Sequence, residues 1–480
     1  MSRVLFAALA SLVLATPTIG VSHNAAPVFP ARLESYLSRT VRLTSDQRNR
    51  LAAGAPVTKL LDADEGKEVA VFGAVWINAS MRQHVELVND IENFERGDGF
   101  EHPARFALEP ALQLGPGPFH TNADTPMFGA VGDSAPDRWG RALMRRMERR
   151  RAMREGGSPR TLREIDYLLL VDDEVRVGAL RFAETVGGPF LRQEEARRIP
   201  LLIELPRLLS AAENVLQGRE SDEDLRLLFA PGSSLGGARP KASLRDTDRH
   251  LAIAKFPRHD DEYDVVVWER VALQLARNAG IAVPDSRIET VGGKPVIVLR
   301  RFDRIGRQRV PFVSAMSMLG ARDNETHSYM EIADALRQHG AAAKEDIPAL
   351  WRRMVFNVLI SNTDDHLRNH GFVYESTRGW RLSAAYDLNP VPVDVKPRVL
   401  TTAINEDDTT ASLELAFEVA GYFELKDREA RQVSVEVANS VSAWRREAAR
   451  HALSKNEIDR MASAFEHEDL QKAIRRRASG

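Results

Sequence analysis

An aspartate and an asparagine five positions apart, Asp364 and Asn369 in Asn362-Thr363-Asp364-Asp365-His366-Leu367-Arg368-Asn369, constrain this chain more than any other feature, because Tyr386-Asp387 follows eighteen residues after Asn369. In protein-kinase-type phosphoryl transfer, a loop aspartate accepts the proton of the attacking hydroxyl, an asparagine five residues on holds a metal ion, and a later aspartate holds Mg²⁺. One short loop must aim a carboxylate at the nucleophile and then turn back to offer an amide oxygen to the metal. Mg²⁺ takes hard oxygen ligands and keeps several waters, so Asp364, Asn369 and Asp387 could supply all the protein ligands it needs. Asn, Asp and Thr are also turn formers, and taken alone the stretch is compatible with an ordinary loop.

The flanking sequence gives that loop a setting. Ile347, Leu350, Trp351, Met354, Val355, Val358 and Leu359 recur at helical spacing and run directly into it, which predicts a buried helix as its anchor. Gly371-Phe372-Val373-Tyr374 and Trp380-Arg381-Leu382 flank a Gly-containing turn, a hairpin that would return Asp387 beside Asn369.

Nucleotide phosphates need a cradle. Ser233-Ser234-Leu235-Gly236-Gly237-Ala238-Arg239-Pro240-Lys241 offers adjacent glycines whose N–H groups can approach phosphate, with Arg239 and Lys241 adding positive charge. It is not a Walker A motif, and a plain surface loop is the competing reading. His250-Leu251-Ala252-Ile253-Ala254-Lys255-Phe256 alternates as a strand and carries a lysine at its end, like the V-A-I-K strand of kinases. Glu269, on a helix predicted over Val265 to Asn278, could orient Lys255. Pro295 to Leu299 reads as an apolar strand running into Arg300-Arg301-Phe302-Asp303-Arg304, suited either to a hinge that meets adenine or to a buried strand with a solvated end.

In this order the motifs resemble the HipA family of serine/threonine kinases, toxins of bacterial type II toxin-antitoxin modules. The resemblance covers roughly residues 100–445 and includes Phe128-Gly129-Ala130-Val131-Gly132-Asp133-Ser134-Ala135-Pro136-Asp137-Arg138-Trp139-Gly140-Arg141, similar to the family's N-terminal signature. It implies that Asp364 is the catalytic base, that Asn369 and Asp387 bind Mg²⁺, and that Lys255 contacts the phosphates of ATP. Gly236, Gly237 and Lys241 would belong to the nucleotide-binding loop, Arg301 and Phe302 to the adenine pocket. Ser234 matches the loop serine that family members autophosphorylate, and a phosphoserine there would repel bound ATP phosphates. A protein substrate is implied, by family analogy a translation factor such as an aminoacyl-tRNA synthetase. So is a helix-turn-helix antitoxin through which any DNA contact would be indirect. Where the family commonly has an acidic residue, this chain has Arg300.

Composition agrees with a large globular enzyme. The 480 residues are 43% apolar and 28% charged, with a formal net charge of −2, which implies no global attraction to nucleic acid. There is no cysteine, hence no disulfide or thiol chemistry, and the histidines form no H-E-x-x-H pattern. Arg145, Arg146, Arg149, Arg150, Arg151 and Arg154 crowd a helix that starts with Ser134, Pro136 and Asp137; a solvated face is the simpler reading, docking of nucleic acid or of an acidic partner the other.

The opening of the chain points elsewhere. Met1-Ser2-Arg3 and the apolar run from Val4 to Ala15 read as a secretory signal, too short for a transmembrane span. Arg42 to Arg48 opens a helical pattern and Val69 to Ile77 reads as a strand, unlike the hairpin-rich opening expected of a HipA protein. A kinase needs ATP, so the cytoplasm is the expected location, with export as the alternative from residues 1–20.

The expected architecture is α+β, a protein-kinase-like bilobal fold. It comprises a signal-like segment (1–20), an unassigned segment (21–99), a HipA N-terminal subdomain-like part (100–190) ending in a strand from Arg176 to Phe182, a β-containing nucleotide lobe (191–308) and a mainly helical catalytic lobe (309–480). Ser412 to Val419, Arg428 to Arg450 and Glu457 to Arg476 are predicted helices. The expected activity is ATP- and Mg²⁺-dependent phosphorylation of a serine or threonine hydroxyl on a protein. The alternatives are an inactive pseudokinase serving as an antitoxin-binding co-repressor module, or an exported protein with a vestigial kinase domain.

Overall fold

Thr44-Ser45-Asp46-Gln47 is a capping sequence, and in the computed structural model it starts helix α1 (Ser45–Ala52) with reciprocal bonds between Thr44 and Gln47 of 3.2 and 3.0 Å. Strands β1 (Val57–Leu61) and β2 (Ala70–Ala74) pair antiparallel with Val57 opposite Ala74. Leu37, Val41, Leu43, Leu51 and Val57 form a small core of their own. The helix and β2 lie where the sequence predicted them; β1, a short stretch with Lys at its centre, was not foreseen.

The structure describes residues 36–53, 55, 57–61, 70–74, 131–183, 190–191, 199–228, 237–306, 308–322, 325–376 and 378–475. The signal-like segment, the start of the N-terminal signature, Ser234 and Gly236 lie outside them. The chain divides into two compact units, one of Met1–Pro103 with Thr121–Asp124, the other of Ala104–His120 with Thr125–Gly480.

The larger unit begins its described part with α2 (Arg138–Arg154), capped by Asp137, whose Oδ1 accepts the Gly140 N–H at 2.9 Å. Helices α3 (Glu164–Leu170), α4 (Leu205–Leu216) and α5 (Asp222–Leu228) follow. The arginines of α2 find their acidic partner within the chain: Arg146 pairs with Glu220 at 3.3 Å, and Arg150 and Arg154 converge on Asp222. Three of the six arginines from Arg145 to Arg154 therefore cross-link α2 to residues 220–222, at and just before the start of α5.

Period-two alternation builds the sheet that carries the site. Strands β3 (Lys241–Arg245), β4 (Leu251–Lys255), β5 (Ser286–Val291) and β6 (Lys294–Arg300) form an antiparallel sheet in the order β3-β4-β6-β5. On one face Ala242, Leu244, Ala252, Ala254, Val296 and Val298 pack with α4 and α5. Ile297 and Leu299 face the other way, into the main core with α6 (Val265–Asn278). Ile253 and Lys255, opposite Leu299 and Ile297, share that second face.

After β6, the two-residue strands β7 (Arg304–Ile305) and β8 (Gln308–Arg309) pair, and β9 (Phe312–Ser314) joins the hairpin β10 (Gly371–Ser376) and β11 (Gly379–Leu382) in a three-stranded sheet. Helices α7 (Tyr329–His339) and α8 (Ala343–Leu359) pack in the helical part, with Ile347, Leu350, Trp351, Met354, Val355, Val358 and Leu359 of α8 all buried as the sequence spacing required. Helices α9 (Leu413–Glu418), α10 (Asp427–Val441) and α11 (Trp444–Ala449) complete it.

Two expectations are corrected. The predicted strand from Arg176 to Phe182 is irregular backbone: the guanidinium of Arg301 donates to Val175 O and Arg176 O, that of Arg304 to Arg176 O at 2.6 Å and Gly178 O at 3.2 Å, while Asp303 accepts the Gly178 N–H at 2.9 Å. Side chains, not a neighbouring strand, satisfy the carbonyls of Val175, Arg176 and Gly178 and the Gly178 N–H. The tail is broken into Lys455–Arg460, Ala462–Phe465 and Glu468–Arg475, because Phe465 must turn inward to stack on Trp444 at 4.6 Å and Asp469 must reach Arg398 at 2.7 Å.

Candidate active site

Lys255 ends β4 on the face that looks toward the helical part, and α6 presents Glu269 to it: Lys255 Nζ to Glu269 Oε1 is 2.6 Å. The same ammonium also donates to Asp387 Oδ1. Asp387 sits in left-handed backbone, φ +54°, a conformation costly for a non-glycine residue and concentrated at functional sites. Burial alone would strip Lys255 of its proton, but Asp387 and Glu269 outweigh it and hold the ammonium charged. Burial also opposes charge on Asp387, yet Lys255 and Lys241 keep its carboxyl below the usual range, whereas burial wins at Glu269 and raises it. Two carboxylates thus share one cation.

Lys255 and Asp387 line a cleft of ≈ 440 Å³ together with Lys241, Ile253, Leu299, Phe302 and Tyr386 among others. Lys241 lies directly across from Lys255 in the sheet. Like charges in that position repel, and Lys241 has its own counter-charge, Asp137 at 2.8 Å. Trp139 Nε1 donates to Lys241 O at 2.9 Å, and Asp133 accepts from Ser314 through its backbone N–H at 2.7 Å and its hydroxyl at 2.8 Å. The signature around residues 131–141 therefore ties β3 to β9, and Asp133 and Asp137 make contacts that the sequence had marked only as part of a motif or as a helix cap.

Other predicted residues are placed as follows. Gly237 has φ +101°, and a Cβ there would meet Lys241 Nζ at 3.3 Å. Arg239 is bound to Asp261 at 2.8 Å. Phe302 stacks on Tyr386 with centroids 5.7 Å apart and forms an aromatic wall of the cleft. Arg301 lines the cleft, but its guanidinium is engaged with Asp303, Val175 O and Arg176 O. Arg300 reaches Asp248 at 3.2 Å.

The loop after α8 begins at Ser361, φ +51°, and is fastened by Arg398, whose Nε donates to Ser361 Oγ at 3.1 Å and Nη2 to Val358 O at 3.0 Å. Asp364 is exposed. Asn369 donates its Nδ2 to Asp364 O at 2.7 Å, which closes the loop and turns Oδ1 into a buried acceptor with no hydrogen-bond partner. Tyr386 Oη donates to Arg368 O at 2.7 Å, tying the segment that carries Asp387 to this loop. An orphan amide oxygen and a depressed carboxylate are hard oxygen donors of the kind that suit Mg²⁺. The arrangement provides an exposed acidic side chain at Asp364, a fixed cation at Lys255 and two oxygen donors at Asn369 and Asp387.

Comparison with known proteins identifies residues 233–445 as a HipA-like C-terminal domain. This part of the chain is therefore HipA-like. The chain is 25% identical over 195 residues to a Haemophilus influenzae protein named "Putative kinase", covering 36% of this chain and 56% of that protein. It is 29% identical over 152 residues to "Putative kinase Y4dM" of Sinorhizobium fredii, covering 28% and 36%. It thus spans about half, or less, of the length of these curated relatives. The structure resembles that of Shewanella oneidensis HipA, solved as a complex with HipB and operator DNA, with a TM-score of 0.52 at 18% identity over 75% of this chain and 86% of that one. The HipA-like fold is accordingly mixed α+β, and Lys255, Asp364, Asn369 and Asp387 all lie within the matched domain. Among the described residues no helix is long and apolar enough to cross a membrane.

Proposed function

We propose that this protein is a HipA-type serine/threonine protein kinase that transfers the γ-phosphoryl group of ATP. The observation that carries the reading is Lys255 held between Glu269 and Asp387 in a cleft, together with a loop that exposes Asp364 and leaves the Asn369 amide oxygen unpartnered. Lys255 would bind the nucleotide's phosphates, and Phe302 with Tyr386 would pack against its adenine. Asp364 would accept the proton of the attacking hydroxyl. Asn369 and Asp387 would hold Mg²⁺, which neutralises charge on the phosphates.

Ser234 is the proposed site of autophosphorylation. The protein substrate would be a translation factor such as an aminoacyl-tRNA synthetase, the site of action the cytoplasm, and the partner a helix-turn-helix antitoxin, by analogy with the Shewanella oneidensis complex of HipA with HipB and DNA. The test is intact-mass spectrometry before and after incubation with ATP and Mg²⁺. Gain of one phosphate, mapped to Ser234 and reduced at least about a thousandfold in rate by Asp364→Asn, is the expected result. Full transfer by Asp364→Asn would overturn the assignment of the base. ATP binding with no transfer and no phosphate already present would favour the antitoxin-binding pseudokinase.

A further inference from the structure

Asp364 and Asp387 reside on separate segments, yet phosphoryl transfer needs them in a fixed relation to within a fraction of an ångström. The buried side chains beneath them form one directed chain of hydrogen bonds. The Asn389 N–H donates to Asn362 Oδ1 at 3.4 Å, Asn362 Nδ2 donates to Asn357 Oδ1 at 3.1 Å, Asn357 Nδ2 donates to Tyr329 Oη at 2.9 Å, and Tyr329 Oη donates to Asp365 Oδ2 at 2.7 Å. Every donor points toward the carboxylate of Asp365, so each bond polarises the next. Asp365 Oδ1 is held from the other side by the Thr401 N–H at 2.8 Å.

All four side chains are almost wholly buried: Tyr329 and Asp365 at 0%, Asn362 at 1% and Asn357 at 3% exposure. Three neutral polar groups and a carboxylate in such a place are costly unless each is satisfied, and apolar residues would fill the space more cheaply. The chain starts two residues after Asp387 and ends on the residue next to Asp364. A second tie between the same segments, Val391 N–H to Ser361 O at 3.2 Å, runs alongside.

We infer that Tyr329, Asn357, Asn362 and Asp365 form a positioning relay that sets the segment bearing Asp387 against the loop bearing Asp364. None of them touches the reacting atoms. Tyr329, from α7, is the link that neither segment can supply itself. The inference deepens the kinase reading and rests on it for its catalytic consequence, but the mechanical coupling does not.

Tyr329→Phe removes the central link while keeping the ring. The expected result is phosphotransfer slowed about 10- to 100-fold in single turnover with Mg·ATP, with the affinity for Mg·ATP unchanged. Amide hydrogen exchange should accelerate together in residues 362–370 and 388–391. Tyr422→Phe removes a comparable bond to Asp334, 2.6 Å, at the surface and should change neither readout. A lower melting temperature with an unaltered transfer rate, or faster exchange in one segment only, would overturn the relay. If the wild-type protein transfers no phosphate, the kinase reading fails, while the paired exchange response still decides the relay. Should Tyr329→Phe not fold, Asp365→Asn, which keeps the side-chain size, is judged by the same two readouts.

Discussion

Two buried charge clusters adjoin β6, one on the segment that follows it and one on β4 beside it, and they are built oppositely. Around Asp303, the arginines Arg301 and Arg304 surround a single carboxylate, and their remaining N–H groups are taken by carbonyls of residues 174–178. Around Lys255, one ammonium serves two carboxylates, and no backbone carbonyl is involved in its two ion pairs. The first cluster is complete in its hydrogen bonding: the guanidinium groups close on the protein's own carboxylate and carbonyls, as expected of a clamp. The second has an excess of negative charge in an open cleft, as expected of a site that receives a cation and an anion together. Buried charge alone therefore says little about function; what distinguishes the two is whether the protein finishes the arrangement.

The largest expected effect is on stability. Removing one partner of a buried ion pair typically costs about 3–5 kcal/mol, because the other charge stays uncompensated. Arg301→Ala and Lys255→Ala should each lose about this much in urea denaturation. Millimolar Mg²⁺ should restore part of the loss in Lys255→Ala, where Asp387 lines the cleft with its cation removed, and none in Arg301→Ala. Equal recovery of both variants, or of neither, would break the distinction between site and clamp.

The next effect tests a third buried carboxylate by its titration. Burial raises Asp365 to about 6, against the hydrogen bonds from Tyr329, Thr401 and Thr402, whereas Asp303, though buried, is held well below the usual range by Arg301 and Arg304. The signs follow from proton linkage. Between pH 4 and about 6 the folded protein keeps a proton on Asp365 that the unfolded chain releases, so this group's contribution falls as pH rises through that window. Asp303 behaves inversely, contributing above its unfolded value and losing that contribution as pH falls below it. Wild type should therefore gain stability relative to Asp365→Asn, on the order of 2–3 kcal/mol, as pH is lowered from 6 to 4. A difference that stays flat across that range would show that Asp365 ionises normally.

The contrast between clamp and cleft also explains what could be read before the structure. Helix α6, strand β4 and the α8-to-loop junction were legible because period and spacing are local properties, and Lys255, Asp364, Asn369 and Asp387 stand at fixed offsets from them. Even Glu269 was legible as a candidate partner, since its helix was. The stretch 176–182 was not: Arg176-Val177-Gly178-Ala179-Leu180 has the look of a strand, and the return of Arg301 and Arg304 from more than a hundred residues downstream occupies the carbonyls of Arg176 and Gly178 instead. Arg301 itself was assigned to the nucleotide pocket because sequence shows that a residue adjoins a pocket and not where its guanidinium goes. Asp137 and Tyr329 carry no local sign of their partners, Lys241 and Asp365, which lie 104 and 36 residues away.

The smallest effect belongs to the exposed counterpart of both clusters, the arginines of α2. Arg154 and Arg150 share Asp222, and Arg154 is 55% exposed. Water screens such a pair, and ordering two long side chains opposes it, so exposed ion pairs contribute about 0–1 kcal/mol. Arg154→Ala should accordingly change stability by less than about 0.5 kcal/mol, since Arg150 still answers Asp222 at 3.2 Å, and the residual difference should shrink further in 1 M salt. Urea denaturation at low and high salt measures it. A loss above 2 kcal/mol that persists in salt would mean that the α2–α5 contact behaves like the Arg301 clamp, and that exposure is the wrong criterion for separating the charges that hold this fold from those that decorate it.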